Sequence, residues 1–179
     1  MVLALSAAKA VSPTIFHHAK ATNLCNCGMH GSKIKQCKCS PQQIEKYLAR
    51  ISGPLLDRIA IHIQVQPVDV EMWNSSSRRM TSVELRDMVQ RAREAQTRRF
   101  AGINGIDCHA RLPEAMFSQH CRMAPAAEAL FSGAQKASLV SARTRAHIIR
   151  IARTIADLSG SEALGDRHVG EALQYRGRG

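Results

Sequence analysis

Four cysteines, Cys25, Cys27, Cys37 and Cys39, stand as two Cys-x-Cys pairs in one short stretch of the chain. Thiolates are soft ligands, and four of them can close a tetrahedral structural zinc site that has no open coordination position. Gly28 and Gly31, between the pairs, let the chain turn back toward its start. Zinc held this way would staple the loop, a contribution of about 10 kcal/mol or more of apparent folding energy in zinc peptides. Cys-x-Cys demands a tighter turn than the common two-residue spacing, so reduced free thiols and redox or disulfide chemistry stand as the other readings. His30 lies in the same loop as a substitute ligand, ranked behind the four cysteines. Cys108 and Cys121 stand apart and read as ordinary buried small residues, Cys121 on a helix.

A second constellation is cationic. Arg58 follows Gly53-Pro54-Leu55-Leu56-Asp57, and Arg143, His147 and Arg150 recur at i, i+4 and i+7. That spacing makes a polar, basic helix face beside an apolar one. Plain alternatives exist for each residue: Arg58 can pair with Asp57 or Glu45, and Arg143 and Arg150 can be solvated.

Composition bounds the function classes. With 45% hydrophobic residues the chain is not wholly disordered. Aromatic residues are only 4%, so aliphatic side chains must build the core. The 25 Lys+Arg against 14 Asp+Glu leave a net charge of +11, compatible with nucleic acid, with nucleotide phosphates, or with a solvated basic surface. One Trp and two Tyr do not make an aromatic platform for single strands. The start has no basic n-region and only a short apolar stretch, and no apolar run approaches the roughly 20 residues of a membrane span. The expectation is a cytoplasmic protein without membrane association, where clustered cysteines point to metal more than to disulfides.

The elements that would carry these residues follow from pattern. Ser40, Pro41 and Gln43 make a helix start, with Ile44, Tyr47, Leu48 and Ile51 on one face, and Gly53-Pro54 as a stop. Ile59, Ile61, Ile63 and Val65 alternate with smaller or polar residues and predict a strand. Residues 2–5 and 14–16 are ambiguous strand candidates. Residues 66–80 read as a linker. Thr81 and Glu84 form a capping box that opens a helix to about Phe100, with Leu85, Val89 and Ala92 on one face. Breaks at Gly102 and Gly105, short helices at 113–121 and 125–137, a long helix over 141–158 and a last one over 167–174 capped by Asp166 complete the pattern. The expected organisation is an α/β piece at 1–65, a linker at 66–80 and an all-helical piece at 81–179.

The runs around Asn23-Leu-Cys-Asn-Cys-Gly, Cys37-Lys-Cys-Ser-Pro-Gln-Gln-Ile-Glu-Lys-Tyr-Leu-Ala-Arg-Ile-Ser-Gly-Pro-Leu-Leu-Asp-Arg-Ile and Ala152-Arg-Thr-Ile-Ala-Asp-Leu closely resemble the magnesium-chelatase-like AAA+ ATPases of bacteria, the ComM (YifB) family. The ending Glu171-Ala-Leu-Gln-Tyr-Arg is also similar. The resemblance covers roughly residues 1–176. It implies the C-terminal part of an AAA+ core followed by a helical lid, in hexameric motors associated with DNA branch migration during natural transformation. It implies further that ATP with Mg is the substrate, that DNA is a partner, and that Asn23 matches the sensor-1 residue. By the same resemblance Arg58 matches the arginine finger that reaches a neighbouring subunit, and Arg143 matches sensor 2. On its own, Asn23 would be an ordinary turn residue.

The departures from that family are specific. No G-x-x-x-x-G-K-[ST] occurs, and no apolar run ends in Asp-Glu. His30-Gly31-Ser32-Lys33 is not a phosphate loop, since the first glycine and the following helix are missing. The residue before the first cysteine is Leu24 rather than the family's proline, and Ala60 replaces an aspartate. The strand expected to hold sensor 1 carries His17, His18 and Lys20, groups that cost several kcal/mol in a buried strand. The expectation is a truncated α/β half that hydrolyses ATP only when a subunit or segment supplies the Walker A and B motifs. The competing reading is a non-enzymatic zinc-stapled module that binds nucleic acid through its charge. A chelatase-type subunit acting on porphyrin shares the lid and finger motifs, but the cysteine cluster points away from it.

Overall fold

The computed structural model describes residues 19–32, 35–51, 53–65, 80–137 and 141–176. The strand candidates at 2–5 and 14–16 and nearly all of the 66–80 linker lie outside the described residues. The chain divides into two compact units, Met1–Leu48 and Ala49–Gly179, so the Arg58 stretch is grouped with the helical region.

The first unit holds the cysteine loop and α1 (Pro41–Leu48). The expected capping box forms: Ser40 N donates to Gln43 Oε1 at 2.9 Å, and Gln43 N donates to Ser40 Oγ at 3.3 Å. Pro41 occupies the first helical position, where its missing N–H has no partner to lose. In the loop Gly28 takes φ 74, a left-handed backbone that only glycine enters freely, and its N–H closes a turn onto Cys25 O.

The second unit is helical. Its elements are α2 (Gly53–Arg58), α3 (Ser82–Arg99), α4 (Phe117–His120), α5 (Pro125–Lys136), α6 (Ala142–Leu158) and α7 (Asp166–Gln174), with 3-10 turns at His109–Arg111 and Glu114–Met116. Thr81 and Glu84 cap α3 reciprocally, and Ser141 Oγ accepts from Thr144 N at 3.2 Å to open α6. Asp166 is the first residue of α7 rather than its cap. The cap is Gly165, whose N–H donates to His168 Nδ1 at 3.0 Å, so a ring nitrogen does the work expected of a carboxylate. Gly160 (φ 72) ends α6, with its own N–H on Asp157 O and Ser161 N–H on Ala156 O, the paired closure of a Schellman turn.

α6 packs against α7 and α3, and α5 packs against α7. Small residues at the crossings, Ala146, Ala152, Ala156 and Ala172, are fully or almost fully buried and let the backbones approach. Ile148, Ile149, Leu112, Leu164 and Val169 fill the centre. Each such side chain contributes roughly 1.5–3 kcal/mol by leaving water. The loops before α5 and α7 are tied by a parallel bridge, with Ala124 N on Leu164 O and Leu164 N on Arg122 O. The core reaches only the second half of α3: Ala92, Gln96 and Phe100 are buried, while Leu85 and Val89, on the same predicted face, are about half exposed.

One element differs from expectation in kind. Residues 59–65 do not form a strand, and no strand occurs among the described residues. The alternation is present, but a strand needs a second strand for its N–H and C=O groups. Instead, the run is held near its start, with Ile59 O accepting from Arg176 Nη1 at 2.7 Å and His62 N–H on Tyr175 O at 2.6 Å, while Ile63 and Val65 are 68% and 84% exposed. The α/β half of the expected fold is therefore not seen in the described residues, and the described fold is helical.

Candidate metal centre and arginine junction

The four cysteines converge. Cys25 Sγ lies 3.4 Å from Cys27 Sγ and 3.7 Å from Cys37 Sγ, and Cys27 and Cys37 are 3.6 Å apart. All four sulfurs, Cys39 included, fall within 4.8 Å of one another. Four thiolates around one zinc at the usual bond length would be about 3.8 Å apart. The donor set and its spacing therefore fit a tetrahedral soft-metal site. Backbone amides point at the sulfurs as well, His30 N to Cys25 Sγ at 3.3 Å and Cys39 N to Cys37 Sγ at 3.4 Å.

The thiols divide in acidity. Cys27 is drawn down to about 6, first by the Lys38 amide and then by the Met29 amide. Cys25 is lowered too, burial being outweighed chiefly by the His30 amide and the Cys37 thiol. Cys37 is pushed up to about 12: the Cys39 amide pulls it down, but burial and the adjacent Cys27 and Cys25 sulfurs prevail. Cys39 is raised in the same way, against the pull of the Cys27 amide. Sulfurs this close resist carrying four negative charges together, and a cation at their centre removes that resistance.

Asn23 is exposed in the same unit, its side-chain nitrogen 3.5 Å from where a Cβ on Gly28 would stand. Arg58 and Arg143 belong to the second unit. Arg58 ends α2, is exposed, and its side chain makes no hydrogen bond or ion pair among the described residues. Asp57 does not pair with it. The Asp57 carboxylate instead faces the N-terminus of α6: Oδ2 is 3.5 Å from Arg143 Nη1, and Oδ1 is 3.2 Å from Thr144 Oγ1 and 3.5 Å from Ser141 Oγ. An anion at a helix N-terminus is favoured by the helix dipole and the free amides there. Arg176 completes the junction, with Nη1 on Ile59 O at 2.7 Å and Nη2 on Thr144 Oγ1 at 2.9 Å and Asp57 Oδ1 at 3.4 Å.

The predicted basic face of α6 is split by packing. Arg150 donates twice to Leu112 O, at 3.1 and 2.8 Å, and lies over the Phe117 ring, so it anchors the loop before α4. His147 Nε2 is buried with no partner among the described residues. Burial, then the Arg176 and Arg150 charges, lower its pKa. Only Arg143 remains partly open, with 55% of its side chain exposed.

Sequence reading missed Asp57, Thr144 and Arg176 as a group, because the contacts join positions far apart in the chain. It also missed a buried ion cluster. Asp157 accepts from Arg99 at 2.6 and 2.7 Å and from Arg153 at 2.7 and 3.2 Å. Arg153 in turn donates to Ser161 O and Glu162 O. Thr154 Oγ1 donates to Arg150 O, so it accepts from His109 Nδ1, leaving His109 Nε2 to accept from Arg99 Nη1 at 3.0 Å. The neutral ring that this requires agrees with a His109 pKa lowered to about 4, chiefly by burial. The Ala152–Leu158 run that matched the family is thus a structural ion network. Cys121 is buried as expected and lies just past α4, its thiol raised to about 11 by burial.

No helix among the described residues is long and apolar enough to cross a membrane. Residues 79–176 match the family model for the magnesium chelatase subunit ChlI C-terminal domain, and residues 1–73 match that for magnesium chelatase subunit ChlI. Competence protein ComM of Haemophilus influenzae is 34% identical over 140 residues, 78% of this chain and 26% of that protein. A Mycobacterium tuberculosis protein is 29% identical over 167 residues, 93% of this chain and 32% of that protein. YifB of Escherichia coli is 29% identical over 140 residues, 78% of this chain and 27% of that protein. The chain spans 26% to 32% of the length of these relatives. With the two family models matching 1–73 and 79–176 and ComM 34% identical over 78% of this chain, the chain belongs to the magnesium-chelatase-like ComM/YifB family, with an AAA+-type C-terminal region.

Proposed function

We propose that this chain supplies part of an ATP-hydrolysing site in an AAA+ assembly that works on DNA. In this reading Arg58 is a finger offered to a neighbouring subunit, Arg143 is the sensor-2 arginine and Asn23 is sensor 1. ATP with Mg is the substrate, and another subunit or segment supplies the Walker A and B motifs, in a homo-hexamer or a mixed ring. The observation that carries the reading is the junction at Asp57. It spends the neighbouring carboxylate on α6 and leaves the Arg58 guanidinium without a partner among the described residues. An uncommitted cation on an anchored segment can meet the charge that develops on a transferring phosphoryl group, an effect worth about 10³–10⁵ in rate in other NTPases. The same reading gives the four cysteines a bound zinc that staples the loop holding Asn23 in place.

The test uses a Walker-motif-bearing family member whose own finger arginine is replaced by alanine. Adding the 179-residue chain restores hydrolysis, and the Arg58→Ala chain does not. Equal rates with and without the chain would end this reading.

The thiol cluster and the charge of +11 favour a second reading, a zinc-stapled module that binds nucleic acid without ATP. Under it the isolated chain binds duplex DNA with an affinity that falls steeply between 50 and 200 mM salt, as phosphate contacts require. ATP leaves that affinity unchanged.

A further inference from the structure

We infer that Arg176 is the positioning residue for Arg58, and that it acts by holding the chain on both sides of it. The inference rests on the reading of Arg58 as a finger. The Arg58 side chain has no hydrogen bond or ion pair of its own among the described residues, so its placement depends on its neighbours. One guanidinium receives both of them. Arg176 Nη1 donates to the Ile59 carbonyl at 2.7 Å, and Nη2 reaches Asp57 Oδ1 at 3.4 Å. The same Nη2 donates to Thr144 Oγ1 at 2.9 Å, next to Arg143. Residues 57–59 are thereby tied to the first turn of α6 and to the end of α7.

Packing alone does this work weakly, since Leu55 and Leu56 are only half-buried. α2 has six residues and none of them is buried. What fixes its end is polar, and the Arg176 side chain is only 12% exposed, so its bonds are largely shielded from water. The adjacent His62 N–H on Tyr175 O, at 2.6 Å, lays the outgoing chain along the same corner. The planar fork of arginine serves two acceptors at once, which a lysine ammonium cannot do with the same geometry. A finger misplaced by about 1 Å can lose about 10²-fold in rate without any loss of binding.

The test uses the same complementation assay. Arg176→Ala is expected to lower kcat about ten- to a hundredfold while KM stays within about twofold, and Arg176→Lys to fall between. In an Arg58→Ala background, Arg176→Ala is expected to change nothing further, because its effect passes through Arg58. A chain with Arg176→Ala that keeps its helical circular dichroism and supports an unreduced kcat overturns the inference. So does a loss that adds in full to that of Arg58→Ala. Should Arg176→Ala fail to fold, Arg176→Lys carries the same comparisons. Absence of any hydrolysis with the unsubstituted chain removes the finger reading and this inference with it. Hydrolysis that depends on Arg58 and not on Arg176 removes only the positioning role.

Discussion

Arg143 Nη1 stands 3.5 Å from Asp57 Oδ2, with 55% and 37% of the two side chains exposed. A pair so open to water is screened and contributes on the order of 0–1 kcal/mol. The contact is therefore easily exchanged for another anion, such as a phosphate. Arg143→Ala is expected to change the urea-unfolding free energy by less than about 1 kcal/mol. In the complementation assay the same change is expected to cost at least about tenfold in kcat. A large loss of stability would identify Arg143 as a structural residue instead.

Asp157 is the opposite case. Its carboxylate is 1% exposed and lies between Arg99 and Arg153. Asp157→Asn keeps the shape and removes the charge, leaving two arginines facing each other with little water. The expected cost is about 3 kcal/mol or more, read as a fall in the urea midpoint. A cost below about 1 kcal/mol would mean that water reaches both guanidinium groups.

Acid is expected to weaken the helical unit through His109. Its folded pKa, about 4, lies below the ordinary value of 6.5. Between these values the unfolded chain takes up a proton that the folded chain refuses, so stability falls as pH drops through that window and levels off near pH 4. The full effect is on the order of 3 kcal/mol. His120, His147 and His168 are lowered as well, first by burial, and act in the same direction, whereas Asp157, lowered because its arginine partners outweigh burial, adds a further loss only below its ordinary value of 3.8. Melting temperatures from pH 7 to pH 4 check this, and His109→Gln is expected to flatten the slope. A flat profile for the unsubstituted chain contradicts the buried neutral ring.

Metal analysis of the purified chain is expected to find about one zinc per chain, held by Cys25, Cys27, Cys37 and Cys39. Chelator is expected to make the cysteine loop protease-sensitive and to lower the melting temperature, and Cys37→Ser to do the same without chelator. Unchanged melting after complete metal removal would sink the zinc staple.

Local signals in the sequence were enough wherever the physics is local. The Ser40/Gln43 and Thr81/Glu84 boxes need only residues three apart, and both form as read. α6 begins at its Ser141 cap and ends at Gly160, because caps and left-handed glycines act within one turn. The four cysteines also meet as their spacing and the loop glycines implied.

Where a group's role depends on what faces it from a distant part of the chain, tertiary structure decided. The alternating run at 59–65 has a strand's pattern and no strand partner among the described residues, so only its start is held, by Tyr175 and Arg176 just past α7. Arg150 and Arg143 share one helix face in sequence, yet the loop ahead of α4 takes the first and Asp57 the second. Asp57 pairs across to α6 and not with the arginine beside it, since a helix N-terminus and two further cations attract it more than one exposed neighbour. The sequence by itself determined the Ser40/Gln43 and Thr81/Glu84 capping boxes, the thiol set and the family, but not the cap of α7, which is Gly165 rather than Asp166. Only the tertiary structure determined that Arg99, Arg150, Arg153 and Arg176 are spent inside the helical unit, while Arg58 has no side-chain partner among the described residues.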